Sequence, residues 1–128
     1  MQFPENLKYS KEHEWVRVEG DTATIGITDF AQEQLTDIVF VELPEVGRKV
    51  DAGEAVAVVE SVKSVSDIYS PVAGEVSAVN KELEAHPEKV NEDPFGAGWI
   101  LRLRVAKADL SALMDAAAYQ KFVDEQAH

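Results

Sequence analysis

Glu60-Ser61-Val62-Lys63-Ser64 sets one primary amine between two serines. It lies in the middle of Glu54 to Tyr69 (EAVAVVESVKSVSDIY), a valine-rich stretch without glycine, proline or asparagine. A lysine in such a place is either a solvated charge or an address for covalent attachment, one that an enzyme can grip on both sides without unfolding anything. Few other residue types here could do chemistry. The absence of cysteine removes disulfides, thiolate metal sites and thiol nucleophiles, so any sulfur redox chemistry needs an added group. His13, His86 and His128 are too scattered for a metal-site pattern, and no metal is expected. No Gly-x-Ser-x-Gly, phosphate loop or dinucleotide fingerprint is present. Trp15 and Trp99 read as core residues rather than ligand contacts.

The elements that must hold Lys63 follow from its surroundings. Read as one strand, Glu54 to Tyr69 is longer than the ~3–10 residues usual for strands, which implies a bend. Its β-friendly residues are balanced about Val62-Lys63, so residues 54–69 are expected as a hairpin with the lysine at its tip. A type I turn over Ser61 to Ser64 closes it without glycine. A second hairpin is expected from His13–Glu19 and Thr22–Thr28 about Gly20-Asp21. Asp29 with Gln32 reads as a helix start, Phe30–Leu35 as a short helix and Asp37–Leu43 as a strand ending at Pro44. Val72–Val79 is a further strand, and Lys81–Gly98 a long polar connection. Trp99, Leu101, Leu103 and Val105 alternate with arginines. Residues 109–126 read as a helical tail with Asp115 as a cap and Tyr119, Phe122 and Val123 as its apolar face. VELPEVG (41–47) and IYSPVAG (68–74) share Pro-x-x-Gly, which fits a sheet of two quasi-equivalent halves.

Composition bounds the partners. The chain has 128 residues, enough for one domain over 1–128. Twelve basic against twenty-four acidic residues give a charge of −12, which a nucleic-acid duplex or an anionic bilayer would repel. No apolar run approaches the ~18 residues of a membrane span, and Met1-Gln2-Phe3-Pro4-Glu5 does not read as a targeting segment. The expectation is a monomeric protein of the bacterial cytoplasm.

Several separated blocks resemble the glycine cleavage system H-protein family. ESVKS (60–64) followed by SDIYSPVAGEV (66–76) is similar to its lipoate-attachment region. Lys8-Tyr9 with His13-Glu14-Trp15-Val16, Thr24 to Asp29, Val39 to Pro44, Val90 to Pro94 and Gly98-Trp99 match in order, so the likeness spans roughly residues 7 to 123. Biotin-carrier domains place methionines about the target lysine, whereas Val62 and Ser64 stand here. Lipoyl domains of the 2-oxoacid dehydrogenases have an aspartate before it, and lack the His13-Glu14-Trp15 segment and the C-terminal tail.

The resemblance implies a mainly β fold, a flattened barrel or sandwich of two small sheets, with a short helix near residue 30 and C-terminal helices. It implies a carrier rather than an enzyme, with lipoate on Lys63 through an amide. Lysine stem and acyl chain together reach on the order of 14 Å. The implied partners are a pyridoxal-phosphate glycine decarboxylase, a tetrahydrofolate-dependent aminomethyltransferase, dihydrolipoamide dehydrogenase and lipoate-attaching enzymes. The loaded arm folds back into a cleft, where the matching carboxylates are Glu14 and Asp67, with Glu12 as a further candidate. A lipoyl donor that relays the group to other acceptors needs the same lysine. An unmodified β-rich interaction module would instead keep Lys63 a free amine.

Overall fold

The computed structural model describes residues 1–126. Two antiparallel sheets face each other. The larger has the order β1 (Lys8–Tyr9), β2 (Glu14–Glu19), β3 (Thr22–Ile27), β9 (Leu101–Arg104), β8 (Gly74–Val79), β5 (Lys49–Val50); the smaller is β4 (Ile38–Glu42), β6 (Ala55–Ser61), β7 (Val65–Tyr69). This is the mainly β, two-sheet architecture read from the sequence, not closed into a barrel. Both expected hairpins form: β2–β3 turns at Gly20, whose φ of 64° suits glycine, and β6–β7 turns at the lysine.

The core lies between the sheets. Val16, Ile25 and Leu101 form one cross-strand row of the large sheet, and pack with Ile38, Val41, Val59 and Ile68 of the small one. A second cluster (Tyr9, Trp15, Tyr119 and Val123 among it) seats the C-terminal helix against the outer part of the large sheet. The Pro-x-x-Gly segments are where the chain passes from small sheet to large. β4 leads to β5 and β7 leads to β8, and β5 pairs with β8. Lys49 faces Glu75, while the amide of Val76 donates to the carbonyl of Arg48, so exchanging the two halves leaves the pairing unchanged.

Four local expectations change. The first helix, α1 (Asp29–Leu35), is capped by Thr28 rather than Asp29. Thr28 is extended, as a cap must be, and its Oγ1 accepts from the amide of Ala31, while Asp29 receives the Gln32 side chain. The connection from Lys81 to Gly98 is not featureless: α2 (Glu82–Ala85) and α3 (Lys89–Glu92) each complete one turn and bury Leu83 and Val90 fully. Four residues are too few to display a helical period. β9 starts at Leu101, so the alternation holds for Leu101, Leu103 and Val105 but breaks earlier. Ile100 is buried, and half-buried Trp99 packs on the second cluster beneath the guanidinium of Arg102, 4.1 Å from its ring centre. The tail is one helix, α4 (Ala116–Gln126), with Asp115 accepting from the amide of Ala118. Before it, Met114 is held extended in a bridge to Tyr9, which stops the helix from starting at 109. Among the described residues no helix is long and apolar enough to cross a membrane.

Trp15 is fully buried, with its indole N–H given to the carbonyl of Pro94 at 3.0 Å, and its cross-strand partner is Gly26. A Cβ at position 26 would sit 2.7 Å from the indole nitrogen and 2.8 Å from two ring carbons. Gly26→Ala should therefore lower unfolding free energy by about 1–3 kcal/mol in urea denaturation, with unchanged m-value.

Candidate functional site

The tip of the β6–β7 hairpin is built without glycine. Neither Val62 nor Lys63 has a positive φ, so it is not one of the primed turns that hairpins prefer. Nor is it closed in the ordinary manner, by the carbonyl of its first residue. The hydroxyl of Ser61 accepts from the amides of Lys63 at 3.1 Å and Ser64 at 3.0 Å, and the amide of Ser61 donates to the carbonyl of Ser64 at 2.8 Å. A further tie comes from outside, where the amide of Val62 donates to the carbonyl of Asp37. Residues 36–38 are in turn held by Asn91, whose side chain donates to the carbonyl of Thr36 and accepts from the amide of Ile38. Every backbone amide from Ser61 to Ser64 is thus engaged, and the Lys63 side chain is exposed. Among the described residues no carboxylate lies within ion-pair distance of its amine.

At the other end of β7 lies a cleft of about 450 Å³ lined by Ser10, Glu12, Glu14, Tyr69, Pro71 and Leu113, among others. Glu14 stands at the start of β2 and is 1% exposed. Its carboxyl accepts from the hydroxyl of Ser10 at 2.5 Å and from the backbone amide of Tyr69 at 3.2 Å. Burial disfavours the charged form more than these two donors favour it, and the Glu12 carboxylate adds to the same side, so the Glu14 carboxyl is pushed up to about 7. A titratable acid lining an otherwise mostly apolar cleft can bind a cationic amine and change its own protonation as it does so.

The three carboxylates read from the sequence are not all in one place. Glu12 and Glu14 share the cleft. Asp67 is exposed on the outward face of β7 and lines a neighbouring groove with Glu42, Arg48 and Val58 instead. It is two residues from Tyr69, which lines the cleft, so the pleat puts both on one face of the strand. His13 is half-buried among aromatic rings and His86 lies beside Glu88 on the surface, while His128 is outside the described residues. Sequence reading missed Ser10, Tyr69 and Leu113. Tyr69 enters through its backbone amide, which no residue type announces, and Leu113 arrives from 44 residues further along the chain.

The chain matches the family model described as "Glycine cleavage H-protein" over residues 7–126. It is 58% identical over 123 residues to a glycine cleavage system H protein of Symbiobacterium thermophilum, covering 95% of this chain and 96% of that one. Against the corresponding protein of Thermus thermophilus it is 57% identical over 128 residues, covering 99% and 100%. The crystal structure of a glycine cleavage system H protein from Mycobacterium marinum is similar with a TM-score of 0.85 at 35% identity, over 98% of this chain and 99% of that one. The chain belongs to the glycine cleavage H-protein family. As a member of this H-protein family it is a lipoyl carrier of the glycine cleavage system.

The raised Glu14 carboxyl has a consequence for stability. The folded protein holds its proton to a higher pH than the unfolded chain, so Glu14 stabilises the fold fully below the ordinary glutamate range. That contribution is lost as the pH rises from about 4.5 to about 7. Glu14→Gln keeps a hydrogen-bonding side chain but cannot ionise. Urea denaturation across this range should show the wild type losing on the order of 2–3 kcal/mol relative to the variant, and parallel curves would contradict the buried-acid assignment.

Proposed function

We propose that Lys63 carries the lipoyl group through an amide and that the Glu14 cleft receives the loaded end of the arm. The observation that carries this reading is the pairing of one exposed, unpaired amine on a stiff tip with a buried carboxyl held by the backbone amide at the far end of β7. Lys63 to Tyr69 spans six residue steps, at most about 20 Å at ~3.3 Å each, so the ~14 Å reach of a lipoyl-lysine carries the end of the arm along most of β7 toward the cleft. The cleft offers apolar walls from Pro71 and Leu113, and two carboxylates against the one ammonium of Lys11, a fit for a hydrocarbon arm that ends in a cationic amine.

When bound, the lipoyl group supplies the dithiolane that takes up an aminomethyl group and electrons, chemistry that a chain without cysteine lacks. The protein's own residues tether, shelter and neutralise. Lys63 fixes the origin of the arm, so delivery into a docked partner becomes intramolecular. Glu14, close to half-ionised at neutral pH, releases its proton when an ammonium approaches, because an opposite charge in a poorly solvated cleft favours the carboxylate. Keeping the cargo's nitrogen charged withholds the lone pair that would expel it. Ser10 and the Tyr69 amide hold the carboxylate in place, and Leu113 and Pro71 limit the water that reaches it.

The outward face of the lysine-bearing sheet suits brief docking. Phe40, Glu60 and Val65 form one cross-strand row, and Glu42, Val58 and Asp67 the next. Apolar and acidic groups thus alternate around Lys63, with Val62 69% and Val65 64% exposed. A glycine decarboxylase using pyridoxal phosphate, a tetrahydrofolate-dependent aminomethyltransferase, dihydrolipoamide dehydrogenase and a lipoate-attaching enzyme are the partners this reading assigns.

Lys63→Arg should abolish the mass gain seen when the chain is incubated with lipoate, ATP and a lipoate ligase, without altering the thermal midpoint. A normal mass gain in that variant would refute Lys63 as the attachment site. Glu14→Gln should be lipoylated normally yet lose its aminomethyl cargo about tenfold faster, read as formaldehyde and ammonia release from the loaded carrier.

A further inference from the structure

The turn that leads into Glu14 contains a strained residue. The amide of His13 donates to the carbonyl of Ser10, and the amide of Ser10 donates to the carbonyl of Glu14, so residues 11–13 form a three-residue hairpin loop between β1 and β2. In such a loop the last residue takes the left-handed region, a place that glycine ordinarily holds. Here it is His13, with φ of 70°. A side chain kept in that conformation needs contacts that hold it there.

Those contacts come from elsewhere in the chain. The imidazole lies between Phe30 of α1, with ring centres 4.8 Å apart, and Phe122 of α4, 5.7 Å away. Its Nδ1 is 2.8 Å from the hydroxyl of Tyr119, a fully buried residue of α4. That hydroxyl also meets Thr28 Oγ1 at 2.6 Å, and the amide of Thr28 donates to the carbonyl of His13 at 3.0 Å. The backbone and ring of His13 are therefore both fixed, the first by the cap of α1 and the second by α4. The next residue along is Glu14.

We propose that His13 is a positioning residue: its ring, anchored to Tyr119, holds the bulged turn that aims the Glu14 carboxyl into the cleft. The C-terminal helix thereby acts on the cleft at a distance, although none of its own residues lines it. The proposal rests on the reading of Glu14 as the group that meets the cargo. It assigns to His13 an effect that passes through Glu14, not a contact with the arm.

His13→Ala tests this, because alanine keeps the penalty of the left-handed backbone and loses the ring that offsets it. His13→Gly is the rescue variant, since glycine adopts that backbone without support. Tyr119→Phe removes only the hydroxyl, and Tyr9→Phe is the control. Tyr9 stacks on Tyr119 in the same cluster but gives its own hydroxyl to Pro4. In the unlipoylated chain, NMR titration of the Glu14 carboxyl should show its midpoint falling by ~0.5 unit or more in His13→Ala and Tyr119→Phe, and staying put in His13→Gly and Tyr9→Phe. In the loaded carrier His13→Ala and Tyr119→Phe should shorten cargo lifetime about threefold or more, with lipoylation unchanged. The double variant His13→Ala/Glu14→Gln should be no worse than Glu14→Gln alone. An unmoved midpoint in His13→Ala, or losses that multiply in the double variant, would overturn the role of His13. If Glu14→Gln retains its cargo normally while His13→Ala still moves the midpoint, the positioning stands and the cleft reading fails.

Discussion

One hydrogen bond ties the far end of the lysine-bearing hairpin to the buried acid of the cleft. Glu14 begins a strand of the large sheet and Tyr69 ends a strand of the small one, and the amide of Tyr69 donates to the Glu14 carboxyl. The bond crosses from one sheet to the other at the point where the lysine hairpin meets the body of the domain. An unpaired acid so deeply buried would be costly to hold, and the Ser10 hydroxyl supplies its second donor. Two donors are enough to keep the side chain in place but not enough to keep it fully ionised at neutral pH, since burial outweighs them. The carboxyl is therefore ordered and at the same time responsive to charge.

Mobility is assigned with similar economy. Strand β6 is rich in valine and β7 adds Val65 and Ile68, whose branched side chains suit a pleated surface and stiffen it. The serine latch, the Asp37 carbonyl and the Asn91 bridge engage the backbone at the tip. What remains free is the lysine side chain. On the proposed reading, a carrier built in this way would confine motion to the rotatable bonds of the arm. On the same reading, the acidic and apolar rows on the outward face of the small sheet would favour association that is quick to form and quick to end.

Strain lies at two junctions, one beside the cleft and one beside the lysine tip. His13 and Thr36 are the non-glycine residues with positive φ among those described, and each lies at a junction between elements. Thr36 ends α1 beside the Asn91 bridge that steadies the lysine tip, and His13 precedes the cleft acid. Both are held by contacts remote in sequence, as a conformation with a local penalty requires.

The amino-acid order by itself determined the elements and the amine. Alternation, turn residues and an over-long valine run are local signals, so the β2–β3 hairpin, the bend at Lys63 and the capped C-terminal helix were legible from spacing alone. Family resemblance added Glu14, Glu12 and Asp67 as a set. Which of them share a cleft was decided only by the tertiary structure, because side-chain direction and sheet packing place Asp67 over the adjoining groove. The one-turn helices at Leu83 and Val90 were equally hidden, since four residues carry no period and their burial depends on what covers them. Hidden for the same reason were the Tyr69 amide and the anchoring of His13 by Tyr119, 106 residues away. Local sequence sets which conformations are cheap; long-range packing chooses the neighbours that give a carboxyl its pKa and a strained turn its support.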